Sequence, residues 1–90
     1  MPNQAHVTIC SGVKSIIDQE GSVLLDLRAG HYYSLNAVGA CIWEHLELGL
    51  DFLEIEGVIA AKYEADPDRI HTDVSRFIAL LAEKGVVVWS

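Results

Sequence analysis

An α+β fold of winged helix-turn-helix type, with a three-stranded antiparallel sheet followed by three helices, is what this 90-residue sequence predicts. Three observations lead there. The apolar residues change period near the middle of the chain, from short strand-like runs to helical spacing. Glycine turns bound the early runs, while capping residues open the later ones. The length suits one compact domain and is too short for two.

Val13 to Ile17 and Ser22 to Leu27 are β-branched and aliphatic runs, separated by the polar connection Asp18, Gln19, Glu20 and Gly21. A second turn, Arg28-Ala29-Gly30, leads into His31-Tyr32-Tyr33-Ser34-Leu35, completing a meander. In the middle run Val23, Leu25 and Leu27 point one way and Leu24 and Asp26 the other, which predicts one fully apolar face. A sheet this small needs that face covered, and the helices are expected to cover it.

Asn36 is suited to cap a first helix ending near Leu48, with Val38, Ile42, His45 and Leu46 on one face. Gly49 stops that helix, and Asp51 with Glu54 forms a capping box for the next, in which Ile55, Val58, Ile59 and Lys62 recur at helical spacing. Asp66-Pro67 is the clearest start signal, an N-cap followed by proline where its missing N–H costs nothing. The third helix is expected to run to Lys84, with Gly85 ending it. Val86 to Trp89 is expected to pack as a short extended segment. Residues 1–12 receive no assignment, and residues 13–90 form the expected domain.

Composition narrows the function. A net charge of −7 repels phosphate backbones and anionic lipid, so neither nucleic acid nor membrane is an expected partner. The helix-turn-helix reading does suggest a DNA-binding regulator, but the third helix carries Asp66, Asp68, Asp73 and Glu83 against Arg69, Arg76 and Lys84. Its sign is wrong for a groove lined with phosphates. No apolar stretch approaches the length of a membrane span, and the N-terminus lacks the pattern of a secretory signal, so a cytoplasmic location is expected. Cys10 and Cys41 are then ordinary thiols rather than a bridge.

An enzyme would have to use His6, His31, His45, His71, the two cysteines or the carboxylates, and none of them forms a recognisable constellation. Cys41 and His45 stand four apart on the first helix, a spacing able to share a metal, yet no second ligand pair matches it. The glycines are scattered singly, with no phosphate-cradling loop. No catalytic residue, metal or cofactor is expected.

Two surfaces are left for binding. On the third helix Leu80, Phe77, Ile70, Leu81, Val74 and Ile78 spread over about 160°, wider than the roughly 100° stripe a core-facing helix requires. Either neighbouring helices cover the whole arc or part of it is open. The run from Tyr32 to Leu35 falls at a sheet edge with no lysine or proline to defend it, so either the chain's own tail covers that edge or a partner uses it.

The ordered set Leu24-Leu25-Asp26-Leu27, Gly30, Tyr32-Tyr33, Leu35-Asn36, Gly39 and Ile42-Trp43-Glu44 resembles the family of pyrroloquinoline-quinone biosynthesis protein D. The likeness continues through Ile55, Tyr63, Asp66-Pro67, Asp73-Val74, Phe77 and Leu81 to Gly85. Members of that family act as recognition elements for ribosomally made, post-translationally modified peptides. The resemblance implies that a precursor's leader segment adds as a strand to the third strand and lies against the third helix. By position, His31, Tyr32, Tyr33, Ser34 and Leu35 would offer the ladder, while Asp73, Val74, Phe77, Ile78 and Leu81 would flank the groove. Leu27 and Tyr33 would close its sheet side. Asp26-Leu27-Arg28 and Tyr32-Tyr33 are most similar to the free-standing leader-binding protein of lasso-peptide biosynthesis, whose partners would be a leader peptidase and a macrocyclising synthetase. The alternative is the peptide chaperone of the quinone-cofactor pathway.

Overall fold

Alternating apolar residues between tight turns give the meander its register. In the computed structural model, which describes residues 6–18 and 21–89, strand β1 (Val7–Ile9) is followed by β2 (Val13–Asp18), β3 (Gly21–Asp26) and β4 (His31–Leu35). Of the expected first turn, Gln19, Glu20 and the side chain of Asp18 lie outside the described residues, as does the side chain of Ile17 in the strand before it. The three later strands form an antiparallel sheet in the order β2-β3-β4, with Asp18 opposite Gly21 and Leu24 opposite Tyr33. The helices α1 (Ala37–Glu47), α2 (Phe52–Tyr63) and α3 (Pro67–Glu83) come next, and β5 (Val87–Trp89) closes the chain.

The helix starts follow the capping chemistry. The Asn36 side chain accepts from Gly39 N–H at 2.8 Å. The reciprocal Asp51–Glu54 bonds of the capping box are both formed, at 2.9 and 3.0 Å, and Asp66 caps α3 ahead of Pro67. Each pairs donors that the first helical turn leaves without partners. The end of α2 carried no sequence signal, because Glu64 takes the left-handed conformation there at φ 50° without being glycine.

The tail pairs as a strand, but with a partner no local signal indicated. β5 runs antiparallel to β1, Val7 opposite Trp89, in a second, two-stranded sheet. Val7, Val86 and Val87 are buried there beside Ile55, Ile59, Ile70, Val74, Ile78 and Leu81 in a single core. Three residues of the unassigned N-terminal segment thus help to build the domain.

The covered face of the meander is the reverse of the one expected. Ser22, Leu24 and Asp26 are the buried residues of β3, whereas Val23 and Leu25 are half-buried on the other side. The reason is Asp26. Its carboxylate accepts from Arg28 Nε at 3.0 Å, from Arg28 Nη2 at 3.2 Å and from the N–H groups of Arg28 and Ala29, so it can turn inward with its charge satisfied. α1 lies over this face, where Ser15 donates to Glu47 at 3.1 Å. On α1 itself the buried set is Gly39, Cys41, Ile42, Trp43 and Leu46, wider than the predicted stripe; Val38 and His45 are only half-buried.

Candidate functional site

The sheet has an edge at β4, and the ladder's geometry tells which backbone groups face outward there. Asp18 and Gly21 close the β2–β3 hairpin across two residues, and in an antiparallel pair the bonding positions alternate from such a closing pair. Odd-numbered residues of β3 therefore bond toward β2 and even-numbered ones toward β4. Leu27 N–H donates to Gly12 O at 2.9 Å, in step with that alternation. Leu24 thus faces Tyr33 across the ladder, and Tyr32 and Ser34 direct their N–H and C=O away from β3. The tail does not cover this edge, since β5 is paired with β1.

Beside the edge stands one flank of α3. Ile70, Val74, Ile78 and Leu81 take the core face, all at 5% exposure or less. Asp73, Phe77, Leu80 and Lys84 follow at spacings of four, three and four, which places them on the neighbouring flank. That flank looks toward β4: Lys84 Nζ sits 4.8 Å from the centre of the Tyr33 ring. Tyr33 and Leu35 are half-buried on the covered face of β4, and the Tyr33 hydroxyl lies 3.5 Å from His31 Nδ1.

At the other end, where β4 passes into α1, there is a cavity of about 250 Å³ lined by Asn36, Val38, Gly39, Ile42, Asp73 and Phe77. Gly39 shapes it. A Cβ there would stand 3.1 Å from Phe77 Cε1 and 3.3 Å from Asn36 Oδ1, so only glycine lets the ring lie this close to α1 without displacement. The β4 edge, the Phe77–Leu80 flank and this cavity together are the candidate groove, with Asp73 on the cavity wall and Lys84 over the Tyr33 ring.

Several residues expected in the groove are elsewhere. Val74, Ile78 and Leu81 are 0, 0 and 2% exposed and belong to the core, out of a peptide's reach. Ile78 is one of the six residues of the sequence arc, but α2 packs on its side of the helix, where His71 Nδ1 of α3 meets Glu56 of α2 at 3.0 Å. Leu27 does not close the sheet side, because it lies in the turn after β3, 59% exposed on the side facing away from the groove. His31 to Leu35, Asp73 and Phe77 do border it. Leu80, named in the sequence arc but not among the expected groove residues, lies on this flank, and Lys84, Val38 and Gly39 were not expected there. The spacing from Asp73 through Leu80 to Lys84 could have found Lys84, and it becomes meaningful once the core face is known.

Arg28 fixes the frame of the site from behind. Its Nη2 donates to Gly85 O at 2.8 Å as well as to Asp26, tying the β3–β4 turn to the end of α3. The Arg28 hydrogen bond is the main cause that lowers the Asp26 carboxyl below its ordinary value, and the same bond raises the Arg28 guanidinium.

Among the described residues no group of three or more His, Cys, Asp or Glu is gathered to hold a metal, and no helix is long and apolar enough to cross a membrane. Cys10 and Cys41 are free thiols, and His45 Nδ1 sits 2.7 Å from the Cys41 carbonyl oxygen, which it is placed to donate to.

Comparison with known proteins identifies the fold and the family. The chain superimposes on the structure described as TbiB1 in complex with the TbiA(beta) leader peptide, with a TM-score of 0.84 and 36% identity over 89% of this chain and 93% of that one. A second structure, a lasso peptide synthetase B1 complexed with the leader peptide, shares the fold at a TM-score of 0.83 and 24% identity, covering 91% and 96% of the two chains. No curated protein matches the chain by sequence. Residues 21–87, from the first residue of β3 to the first of β5, match the family model of coenzyme PQQ synthesis protein D, and the chain therefore belongs to the PqqD family.

Proposed function

We propose that this chain captures the leader segment of a ribosomally made precursor peptide, in a lasso-peptide pathway, and presents it to a leader peptidase and a macrocyclising synthetase. The observation that carries the reading is the open β4 edge beside a half-exposed apolar flank of α3. An extended peptide gains main-chain bonds from Tyr32 and Ser34 without regard to sequence, while alternate side chains are sorted by the groove. The 36% identity to a protein solved with a leader peptide supports the same use of the surface. The choice of a lasso-peptide pathway over the quinone-cofactor route rests on the resemblance carried by Asp26-Leu27-Arg28 and Tyr32-Tyr33.

The module performs no chemistry in this reading. An unfolded leader loses conformational entropy on capture, which keeps binding reversible. Holding it beside the processing enzymes raises its effective concentration there.

Amide hydrogen exchange with the TbiA(beta) leader as probe tests the mode of capture. The Tyr32 and Ser34 amides should slow on binding while those facing β3 change little. Protection at the outer edge of β2, or none in the sheet, would overturn strand addition to β4.

A further inference from the structure

We infer that the groove is charge-polarised, and that it selects a leader bearing a cationic side chain upstream and a carboxylate about five residues downstream. This deepens the leader-binding reading and rests on it. The two poles are Asp73, on the wall of the cavity where β4 meets α1, and Lys84, over the Tyr33 ring at the hairpin end.

Lys84 is the stronger pole. Among the described residues no carboxylate lies within ion-pair distance of its ammonium group, whereas Arg28 is paired with Asp26 and Arg69 with Asp73. It is exposed and stands over the Tyr33 ring beside the β4 edge, so an incoming carboxylate would meet a positioned cation there. Asp73 is weaker, because Arg69 Nε already approaches it at 3.6 Å, but its side chain remains half-exposed beside the cavity.

Direction follows from the layout. β4 runs from the Lys84 end toward the Asp73 end, so a peptide added antiparallel begins beside Asp73 and proceeds toward Lys84. Eleven helical residues at about 1.5 Å span about 16 Å, which an extended chain covers in about five residues. A leader entering the other way round would bring its carboxylate to Asp73 and its cation to Lys84. The poles thus oppose reversed binding, a form of selection by repulsion.

Selection from a library of random linear peptides displayed against the whole chain tests this. The enriched peptides should share an acidic position about five residues C-terminal to a basic one, in keeping with the span between the poles. Lys84→Glu should reverse the acidic preference and leave the basic one, and Asp73→Lys should do the converse. One enriched peptide and its acid-to-lysine counterpart are then titrated by fluorescence anisotropy. The change should weaken binding to the wild type by about threefold or more, a size usual for partly exposed ion pairs, and strengthen binding to Lys84→Glu. Enriched peptides without such a position, or a penalty equal on both proteins, would overturn the polarity while leaving leader capture standing. A library that yields no enriched peptide would overturn capture itself.

Discussion

The two flanks of α3 both carry apolar side chains but differ in their circumstance. One carries Ile70, Val74, Ile78 and Leu81 into the core; the other carries Phe77 and Leu80 between Asp73 and Lys84, with Leu80 47% exposed. The first is apolar throughout at helical spacing, and the second is apolar at Phe77 and Leu80. The difference is in what covers them: α2 and β5 pack on the first, while the second faces a strand whose outer edge is unpaired. Burial converts the same side-chain chemistry into stability on one flank and leaves it available for a ligand on the other.

The largest expected effect breaks the first flank. Ile78→Asp places a carboxylate at a fully buried position with no partner, at a cost of several kcal/mol against a total stability of about 5–15 kcal/mol. Circular dichroism should show no cooperative melting transition near that of the wild type. A variant that melts normally would mean Ile78 is not a core residue and would erase the distinction between the flanks.

Next in size is the matching change on the second flank. Leu80→Asp should alter stability by no more than about 0.5 kcal/mol, because the site already faces water. It should weaken capture of the TbiA(beta) leader at least tenfold, or about 1.4 kcal/mol, since the carboxylate would be desolvated against an apolar anchor. Isothermal titration calorimetry reads the loss. Unchanged affinity would restrict the groove to Phe77 and the β4 edge.

The smallest effect sharpens the comparison by testing the tie that holds α3 against the sheet. Hydrogen bonding from Arg28 lowers the folded-state value of Asp26 below 3.8, the value near which the unfolded chain titrates. The stabilisation is therefore complete above that value and is lost as pH falls through the lower folded value. Asp26→Asn removes this contribution, so its melting temperature should fall less steeply than the wild type's on acidification below about pH 4. Parallel melting curves across that range would show that the Asp26–Arg28 pair does not couple folding to acid.

Local chemistry made much of this protein legible in its sequence. Asn36, Asp51 with Glu54, and Asp66-Pro67 placed all three helix starts, because a cap acts through bonds to residues two or three positions away. Sequential hairpins placed the meander and its exposed third strand. Tertiary structure decided the rest. Val7–Ile9 meets Val87–Trp89 only when the whole chain closes, and no short-range pattern encodes a partner at that separation. That pairing and the position of α2 settle which side of the α3 arc is covered. Alternation in β3 offered Val23 and Leu25 as the inward face, yet Asp26 turns inward instead, because Arg28 two residues on satisfies its charge and fastens to Gly85. Periodicity tells which residues share a face, but which face is buried depends on the combined fit of elements distant in sequence.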